Sequence, residues 1–243
     1  MYTWKSTSVV PPLQQDVALF LDVDGVDLQF APALVRIDDS FRCALKRTWT
    51  QLDGALALIS GRPIEQLDHC VGWNGCAAAG VHGLERRDAL KVIHRAVPSA
   101  QLRNALAILV DVLSSGHGVA VEDKGVSVAL HFCEAPEREE ALRRAALLML
   151  TYLGPKYRLL EGENVLELLP RSADKGTAVR AFMAEAPFRG RRPVFVGADI
   201  TDLEGFEAVR EYGGYGVAVG RRIDGDFTLP DLQAVRGWLG AVV

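Results

Sequence analysis

The sequence predicts an α/β fold, in which a Rossmann-like sheet of parallel strands carries an inserted, smaller α+β module. Near the N-terminus, short apolar runs end in polar loops and are followed by segments of helical periodicity; the same rhythm returns after residue 175. Strand–helix units in succession favour a parallel sheet with helical crossovers. Between them, closely spaced pairs of strand-like segments alternate with helices, which is typical of an α+β module.

The first two strand–helix units carry the clearest pattern. The apolar runs at 18–21 and 55–59 are predicted as strands, because each is short and stops at a polar turn. A helix is predicted over 39–53, where the periodic apolar residues are Phe41, Leu45, Trp49 and Leu52. Pro63 suits the first turn of the helix that follows the second strand. These units therefore predict neighbouring parallel strands.

The middle of the chain follows a different pattern. Its predicted elements are a helix at 100–113, strands at 119–124 and 126–132, a helix at 137–153 and two short strands within 158–169. The elements predicted after it are a helix at 176–184, strands at 193–197 and 216–219 and a helix at 232–239. We therefore expect a core formed by residues 1–86 and 171–243, with an inserted domain at 87–170.

Composition and charge disfavour several classes of function. The net charge is −4 and no long basic run is present, which disfavours nucleic-acid binding. No apolar stretch approaches the roughly 20 residues of a membrane span, and the first residues lack the apolar segment of a signal peptide. No Cys-x-x-Cys pair occurs among Cys43, Cys70, Cys76 and Cys133. Free thiols in a reducing cytoplasm are therefore expected. The sequence gives no indication of the oligomeric state.

The strongest functional signal is the pair of acids Asp22 and Asp24 at the end of the first predicted strand. Residues i and i+2 share one face of an extended chain, so both carboxylates can converge at the sheet edge where open α/β folds bind ligands. Two buried acids repel each other and need a cation or a shared proton. The alternative is structural: a strand followed by a turn at Asp24 and Gly25.

Polar groups near other predicted strand ends suit phosphoryl transfer to a carboxylate. A nucleophilic Asp can form an aspartyl-phosphate, and a second acid can protonate the leaving oxygen. A hydroxyl and a lysine can hold the phosphoryl oxygens, and further carboxylates can bind Mg²⁺. The candidates are Ser60, Lys175, Asp199 and Asp202. Each also has a structural interpretation, as a helix cap or, for the lysine, as a solvated side chain.

Several motifs of this chain match those of a known family. The broader motifs are Asp22-Val23-Asp24-Gly25, Ser60-Gly61-Arg62, Lys175-Gly176 and Asp199-Ile200-Thr201-Asp202. The narrower ones are Gly80-Val81-His82-Gly83-Leu84-Glu85, Glu122-Asp123-Lys124, Ala129-Leu130-His131, Glu167 and the run 195–206. With these motifs the chain resembles the haloacid dehalogenase superfamily, and within it the trehalose-6-phosphate phosphatase family, over residues 18–238. The resemblance implies a haloacid dehalogenase fold whose inserted module is a cap that closes over the substrate.

The resemblance also implies catalytic roles for the matching residues. Asp22 would be the nucleophile and Asp24 the general acid/base, whose backbone carbonyl also binds metal. Ser60 and Lys175 would bind the phosphoryl group. The implied Mg²⁺ ligands are Asp22, Asp24, Asp199 and Asp202.

The implied substrate is a sugar phosphate, trehalose 6-phosphate. Its sugar hydroxyls would meet three residues of the cap, namely Glu122, Lys124 and Glu167. The core side of the cleft would be lined by Arg62, His82 and Glu85. Structural alternatives exist here too: Glu122 and Lys124 share one strand face and can form a surface ion pair, and His82 can be a hydrogen-bonded loop residue.

Three sites depart from the family pattern. Ala198 stands where the family has an acid aligned with a direct Mg²⁺ ligand, and alanine offers no oxygen. Val26 and Asp27 replace a threonine and an apolar residue near the nucleophile, and Cys133 replaces a basic residue of the cap. The implied enzyme is therefore a Mg²⁺-dependent phosphatase weakened by Ala198 and Val26. Two alternatives stay open: a pseudophosphatase that binds a sugar phosphate or a protein partner, and a phosphatase for another sugar phosphate.

Overall fold

The computed structural model describes residues 9–26, 37–113, 118–162 and 164–240. The chain divides into two compact units, one made of Met1–His94 and Asp174–Val243 and the other of Arg95–Ala173. The larger unit thus comes from both ends of the chain, and the smaller unit is an insertion. The inserted unit starts at residue 95, whereas the sequence places its start at 87. Two strands at Glu85–Arg87 and Ile93–Arg95 account for the difference, because they pair in the sheet of the larger unit.

Twelve strands and eight α-helices are formed by the described residues. The strands are β1 (Val17–Asp22), β2 (Leu56–Ile59), β3 (Ala77–Gly80), β4 (Glu85–Arg87), β5 (Ile93–Arg95), β6 (Ala120–Asp123), β7 (Val128–His131), β8 (Tyr157–Gly162), β9 (Val165–Pro170), β10 (Arg192–Gly197), β11 (Tyr215–Val219) and β12 (Phe227–Leu229). The helices are α1 (Val23–Val26), α2 (Asp39–Gln51), α3 (Ile64–Val71), α4 (Ala100–Leu113), α5 (Glu139–Leu153), α6 (Lys175–Met183), α7 (Leu203–Glu211) and α8 (Leu232–Leu239). Short 3-10 turns form at Val81–Gly83, Pro136–Arg138 and Ile200–Asp202.

The larger unit is built on an eight-stranded sheet of order β12-β11-β10-β1-β2-β3-β4-β5. Strand β1 lies between β10 and β2 and is parallel to both, which confirms the predicted parallel sheet. The antiparallel pairing of β4 with β3 begins the extension that ends at β5. Parallel neighbours end at the same edge of the sheet, so the residues after β1, β2 and β10 are brought close together.

An aromatic cluster fastens helix α6 to the sheet. Phe20 of β1 stacks on Phe188 with ring centroids 5.5 Å apart, and Phe182 of α6 lies 5.1 Å from Phe188. All three rings are fully buried. Aromatic pairs contribute about 0.5–1.5 kcal/mol each beyond the area that they bury. This packing fixes the helix that begins at Lys175 against the strand that ends at Asp22.

The inserted unit has its own sheet and core. Its four strands have the order β6-β7-β9-β8, and every neighbouring pair is antiparallel. The predicted hairpins β6–β7 and β8–β9 are therefore confirmed. Apolar residues of α4 and α5 pack with one face of this sheet, including Leu102, Leu142, Leu130 and Leu168. Because side chains alternate along a strand, the opposite face carries Glu122, Ala129 and Glu167, which form one row across β6, β7 and β9.

None of the helices among the described residues is long and apolar enough to cross a membrane. None of the four cysteines, all of which lie in the described part of the chain, forms a disulfide; they are Cys43, Cys70, Cys76 and Cys133.

Candidate active site

The two acids of the first motif lie in different secondary structures. Asp22 is the last residue of β1 and is buried, whereas Asp24 lies in the one-turn helix α1 that follows. The prediction that both share one face of extended chain is therefore wrong at Asp24, because the backbone becomes helical at Val23. Both carboxylates are still close enough to Lys175 to raise the pKa of that lysine. The carboxylates of Asp22 and Asp24 are thus brought near the same lysine by a helical turn, and not by the alternation of side chains along a strand.

Lys175 links two buried acids at the centre of the site. Its Nζ donates to Asp202 Oδ1 at 2.6 Å and lies 3.2 Å from Asp22 Oδ1. The three side chains are at most 4% exposed. The interpretation of Lys175 as a solvated residue is therefore excluded. A buried charge is tolerated only when it is paired, and this arrangement pairs two acids with one cation.

The charge on Lys175 is maintained against the effect of burial. Burial by itself would lower the pKa of the ammonium group, but the negative charges of Asp202 and Asp22 outweigh it, so the pKa is raised above its ordinary value. Lys175 is therefore protonated at neutral pH. A permanent positive charge beside Asp22 is suited to holding a phosphoryl group next to that carboxylate.

Asp24 is held by the second motif. Ser60 directly follows β2, and its hydroxyl donates to Asp24 Oδ2. Arg62 Nε donates to Asp24 Oδ1 at 2.5 Å, and the Arg62 backbone N–H donates to Ser60 Oγ at 2.9 Å. Ser60 is not the cap of α3, because the residue at that N-cap is Pro63. The structure thus brings together Asp24, Ser60 and Arg62.

A strained turn after β3 supports the loop of Ser60 and Arg62. Val81 and His82 have φ angles of 48° and 52°, a conformation that costs non-glycine residues about 1–3 kcal/mol each. Their N–H groups donate to the carbonyls of Arg62 at 3.0 Å and Ser60 at 3.2 Å. Glu85 Oε2 accepts from the N–H of Ile64 at 2.7 Å, at the start of helix α3. His82 and Glu85, both predicted to line the cleft, therefore lie against this loop.

We expect Gly61→Ala to lower the free energy of unfolding by about 1–3 kcal/mol through overpacking. A methyl group at Gly61 would lie 2.9 Å from Cε1 and Nε2 of the buried His82 ring. Denaturant unfolding measures the change. In a His82→Ala background the same substitution should be nearly neutral, and an equal loss in both backgrounds would show that the ring is not the cause.

The loop after β10 is organised by Asp202. Asp202 Oδ2 accepts from the N–H groups of Ala198 at 2.8 Å and Asp199 at 2.9 Å, while Oδ1 accepts from Lys175. Asp199 caps the following 3-10 turn through its side chain. Asp199 therefore has the capping role that its structural interpretation predicts. Asp202 does more than bind the loop backbone, because it also accepts a hydrogen bond from Lys175.

The donor atoms fit Mg²⁺ with a reduced ligand set. Within the described residues, no group of three or more His, Cys, Asp or Glu side chains is arranged to hold a metal ion. The oxygens of Asp202 already accept from Lys175 and from two backbone N–H groups. Mg²⁺ in proteins often takes only one or two carboxylates and completes its shell with water and phosphate oxygens. The carboxylates of Asp22 and Asp199 and the backbone carbonyl of Asp24 are oxygen donors of the kind that Mg²⁺ binds, and Ala198 adds no side-chain oxygen to them.

The inserted unit holds two pre-oriented carboxylates. Glu167 is buried and accepts from Ser127 Oγ at 2.5 Å and Lys124 Nζ at 3.0 Å. Glu122 Oε2 lies 2.8 Å from His131 Nε2. Lys124 has a side chain only 8% exposed, which excludes the reading of that lysine as part of a solvated surface pair.

Sequence reasoning missed the roles of two residues in this unit. Ser127 and His131 alternate with Ala129 on β7 and its approach, so they share the face that carries Glu122 and Glu167. The spacing of two residues between Ser127, Ala129 and His131 could have predicted from the sequence that they share one face of the sheet. Two residues at positions that depart from the family pattern cannot be placed: Asp27 and the Val26 side chain lie outside the described part of the chain. Cys133 is exposed.

The fold is of the haloacid dehalogenase type. The structure is similar to a haloacid dehalogenase-like hydrolase from Bacteroides thetaiotaomicron, with a TM-score of 0.70 over 94% of this chain and 98% of that chain at 16% identity. The family model for trehalose-phosphatase matches residues 20–225. The chain belongs to the trehalose-phosphatase family, whose members are phosphomonoester hydrolases.

Two curated relatives show the same membership. The trehalose-6-phosphate phosphatase of Escherichia coli K12 is 38% identical over 235 residues, which cover 94% of this chain and 87% of the relative. The probable trehalose-phosphate phosphatase of Sinorhizobium fredii is 36% identical over 230 residues, which cover 93% of this chain and 87% of the relative.

Proposed function

We propose that this protein hydrolyses trehalose 6-phosphate to trehalose and phosphate through an aspartyl-phosphate intermediate. The observation that carries the proposal is the buried group of Asp22, Lys175 and Asp202 at the carboxyl end of β1, with Asp24 electrostatically coupled to the same lysine. The substrate is inferred from the relatives, whose names specify trehalose phosphate.

In the first step, an oxygen of Asp22 forms a bond to phosphorus and the bond from phosphorus to the sugar oxygen breaks. Asp24, which must first take up a proton from solvent, gives that proton to the leaving sugar oxygen. In the second step, water attacks the phosphorus of the aspartyl-phosphate and Asp24 accepts its proton. The bond between Asp22 and phosphorus then breaks, and phosphate is released.

Lys175 and Ser60 hold the phosphoryl oxygens in this scheme. Lys175 keeps its charge because Asp202 and Asp22 raise its pKa, and it is already placed before the substrate binds. Such preorganised donors stabilise developing charge without reorganising during the reaction. Asp202 acts through Lys175, which it holds at 2.6 Å, and through the backbone of the loop after β10.

We also propose that Asp22, the Asp24 carbonyl and Asp199 hold Mg²⁺. Bound there, Mg²⁺ would neutralise charge that develops on the transferring phosphoryl group. For the sugar hydroxyls we propose Glu122, Lys124 and Glu167. The carboxylates of the buried Glu167 and the half-buried Glu122 are already oriented by neighbouring side chains and can accept hydrogen bonds from hydroxyl groups in a fixed direction, and the ammonium group of Lys124 can donate them.

The site of action that we propose is the cytoplasm. The absence of disulfides among the four cysteines supports it, because disulfides are rare in reducing compartments.

Phosphate release from trehalose 6-phosphate, measured with and without Mg²⁺, tests the function directly. We expect turnover above an Asp22→Asn control. Binding of trehalose 6-phosphate without any such turnover would instead support a pseudophosphatase, which the comparisons do not favour. A panel of monosaccharide and disaccharide phosphates tests the substrate, and faster turnover of a monosaccharide phosphate would overturn the assignment to trehalose 6-phosphate.

Ala198→Asp should raise the affinity for Mg²⁺ at least about tenfold, because it restores an oxygen ligand beside Asp199. Calorimetric titration with Mg²⁺ in the absence of substrate measures this change. Ala198→Asn is the matched control, because asparagine has nearly the shape of aspartate but no charge, and its affinity for Mg²⁺ should rise less. Unchanged affinity in the Asp variant would show that residue 198 does not face the ion.

A further inference from the structure

The oxygens of Asp24 are bound by groups that have a second use in the proposed reaction. Ser60 Oγ donates to one oxygen and Arg62 Nε to the other, at 2.5 Å for the arginine. Ser60 is fully buried, whereas the side chains of Arg62 and Asp24 are 18% and 28% exposed. An arriving anion can therefore reach the arginine side of this group from solvent.

We propose that Asp24, Ser60 and Arg62 form a resting clamp that the phosphoryl group of the substrate opens by taking over both donors. The proposal rests on the proposed function, since it assigns the phosphoryl group as the competing acceptor. It gives Arg62 a more specific role than the lining of the core side of the cleft that the family resemblance implies. Arg62 is a positioning residue for the general acid/base in the resting enzyme and a phosphoryl ligand afterwards.

The Ser60 hydroxyl can donate a hydrogen bond either to Asp24 or to the phosphoryl group, but not to both at once. A serine hydroxyl has one proton, and the structure directs it to Asp24 while the Ser60 oxygen accepts from the Arg62 N–H. The proton cannot serve Asp24 and a phosphoryl oxygen together. Arg62 has further N–H groups, but a doubly charged phosphoryl group attracts the guanidinium more strongly than a single carboxylate does.

The clamp makes the availability of Asp24 for proton transfer depend on the binding of substrate. While both donors hold it, the carboxylate of Asp24 is fixed towards Ser60 and Arg62. Once the phosphoryl group takes these donors, Asp24 is released to meet the leaving sugar oxygen. A sugar without phosphate offers no anion and leaves the clamp closed.

The test is a double-mutant cycle on the binding of inorganic phosphate, measured by calorimetry in metal-free buffer. If Asp24 competes for the donors, Asp24→Asn should tighten phosphate binding at least about tenfold. The gain should fall below about threefold when Arg62→Ala is already present. Asp174→Asn, which removes a negative charge next to Lys175 in the chain but keeps a residue that can cap α6, is the matched control and should change binding less than about twofold.

Three results would overturn the clamp: no gain in Asp24→Asn, an undiminished gain in the Arg62→Ala background, or an equal gain in Asp174→Asn. The second and third would show general charge repulsion. Arg62→Gln replaces Arg62→Ala if the latter does not fold, as judged by circular dichroism. The cycle is independent of turnover, so an inactive wild-type protein would refute the proposed function while leaving the clamp open to confirmation.

Discussion

Asp22→Asn is expected to reduce phosphate release from trehalose 6-phosphate by at least about 10⁴-fold, because it removes the proposed nucleophile. The amide has nearly the shape of the carboxylate but is not a nucleophile towards phosphorus. Initial rates of phosphate release give kcat and KM. Rapid acid quenching of the wild type with labelled substrate should trap a phosphoenzyme that the variant does not form.

The same variant should remain folded and should still bind its substrate. Lys175 keeps Asp202 as a partner at 2.6 Å, so no buried charge is left unpaired. Circular dichroism and calorimetric binding of trehalose 6-phosphate check both points. Asp53→Asn, at an exposed loop acid, is the matched control and should retain wild-type turnover. Activity above about 1% in Asp22→Asn would show that another residue is the nucleophile.

The sequence predicts the fold best where hydrophobic patterns are long or sharply bounded. Strand β1 and helix α2 lie within one or two residues of their predicted limits. Strand β3 was not predicted, because its sequence Ala77–Gly80 has only small side chains of low strand propensity. It forms because it is buried next to β2, which is a tertiary effect. Strand β4 was missed because its charged residues Glu85–Arg87 resemble a loop.

The residues of the candidate site also fall into two groups: those that local sequence predicts, and those whose contacts depend on the tertiary structure. Position at a strand end was enough to select Asp22, the last residue of β1, and Ser60, which follows β2, because the ends of parallel neighbouring strands lie at one edge of the sheet. The pairing of Lys175 with Asp202 joins residues 27 positions apart, and no local pattern reports such a contact. The left-handed backbone at Val81 was also beyond prediction, since a β-branched residue disfavours that conformation and only the surrounding contacts impose it.

Lys175→Met is expected to lower the free energy of unfolding by about 3–5 kcal/mol and to abolish activity, because it leaves Asp22 and Asp202 buried without their cation. Denaturant unfolding at pH 7 measures the loss. In the wild type, the raised pKa of Lys175 means that its stabilising effect is complete below the ordinary lysine value of 10.5 and is lost as the pH rises through the higher value of the folded protein. The wild type should therefore become less stable in strong alkali, and this contribution should be missing in Lys175→Met.

The stability of Lys175→Met should also depend on pH differently from that of the wild type. Without the lysine, buried negative charge loses its compensating cation, and lowering the pH should reduce the resulting loss of stability. The stability gap between the wild type and Lys175→Met should consequently narrow from pH 8 to pH 5. Adding Asp202→Asn, which keeps a carbonyl oxygen for the N–H groups of Ala198 and Asp199, should recover part of the lost stability at pH 7. If the double variant is no more stable than Lys175→Met, the loss comes from packing around the lysine stem and the ion pair is not the main stabilising element.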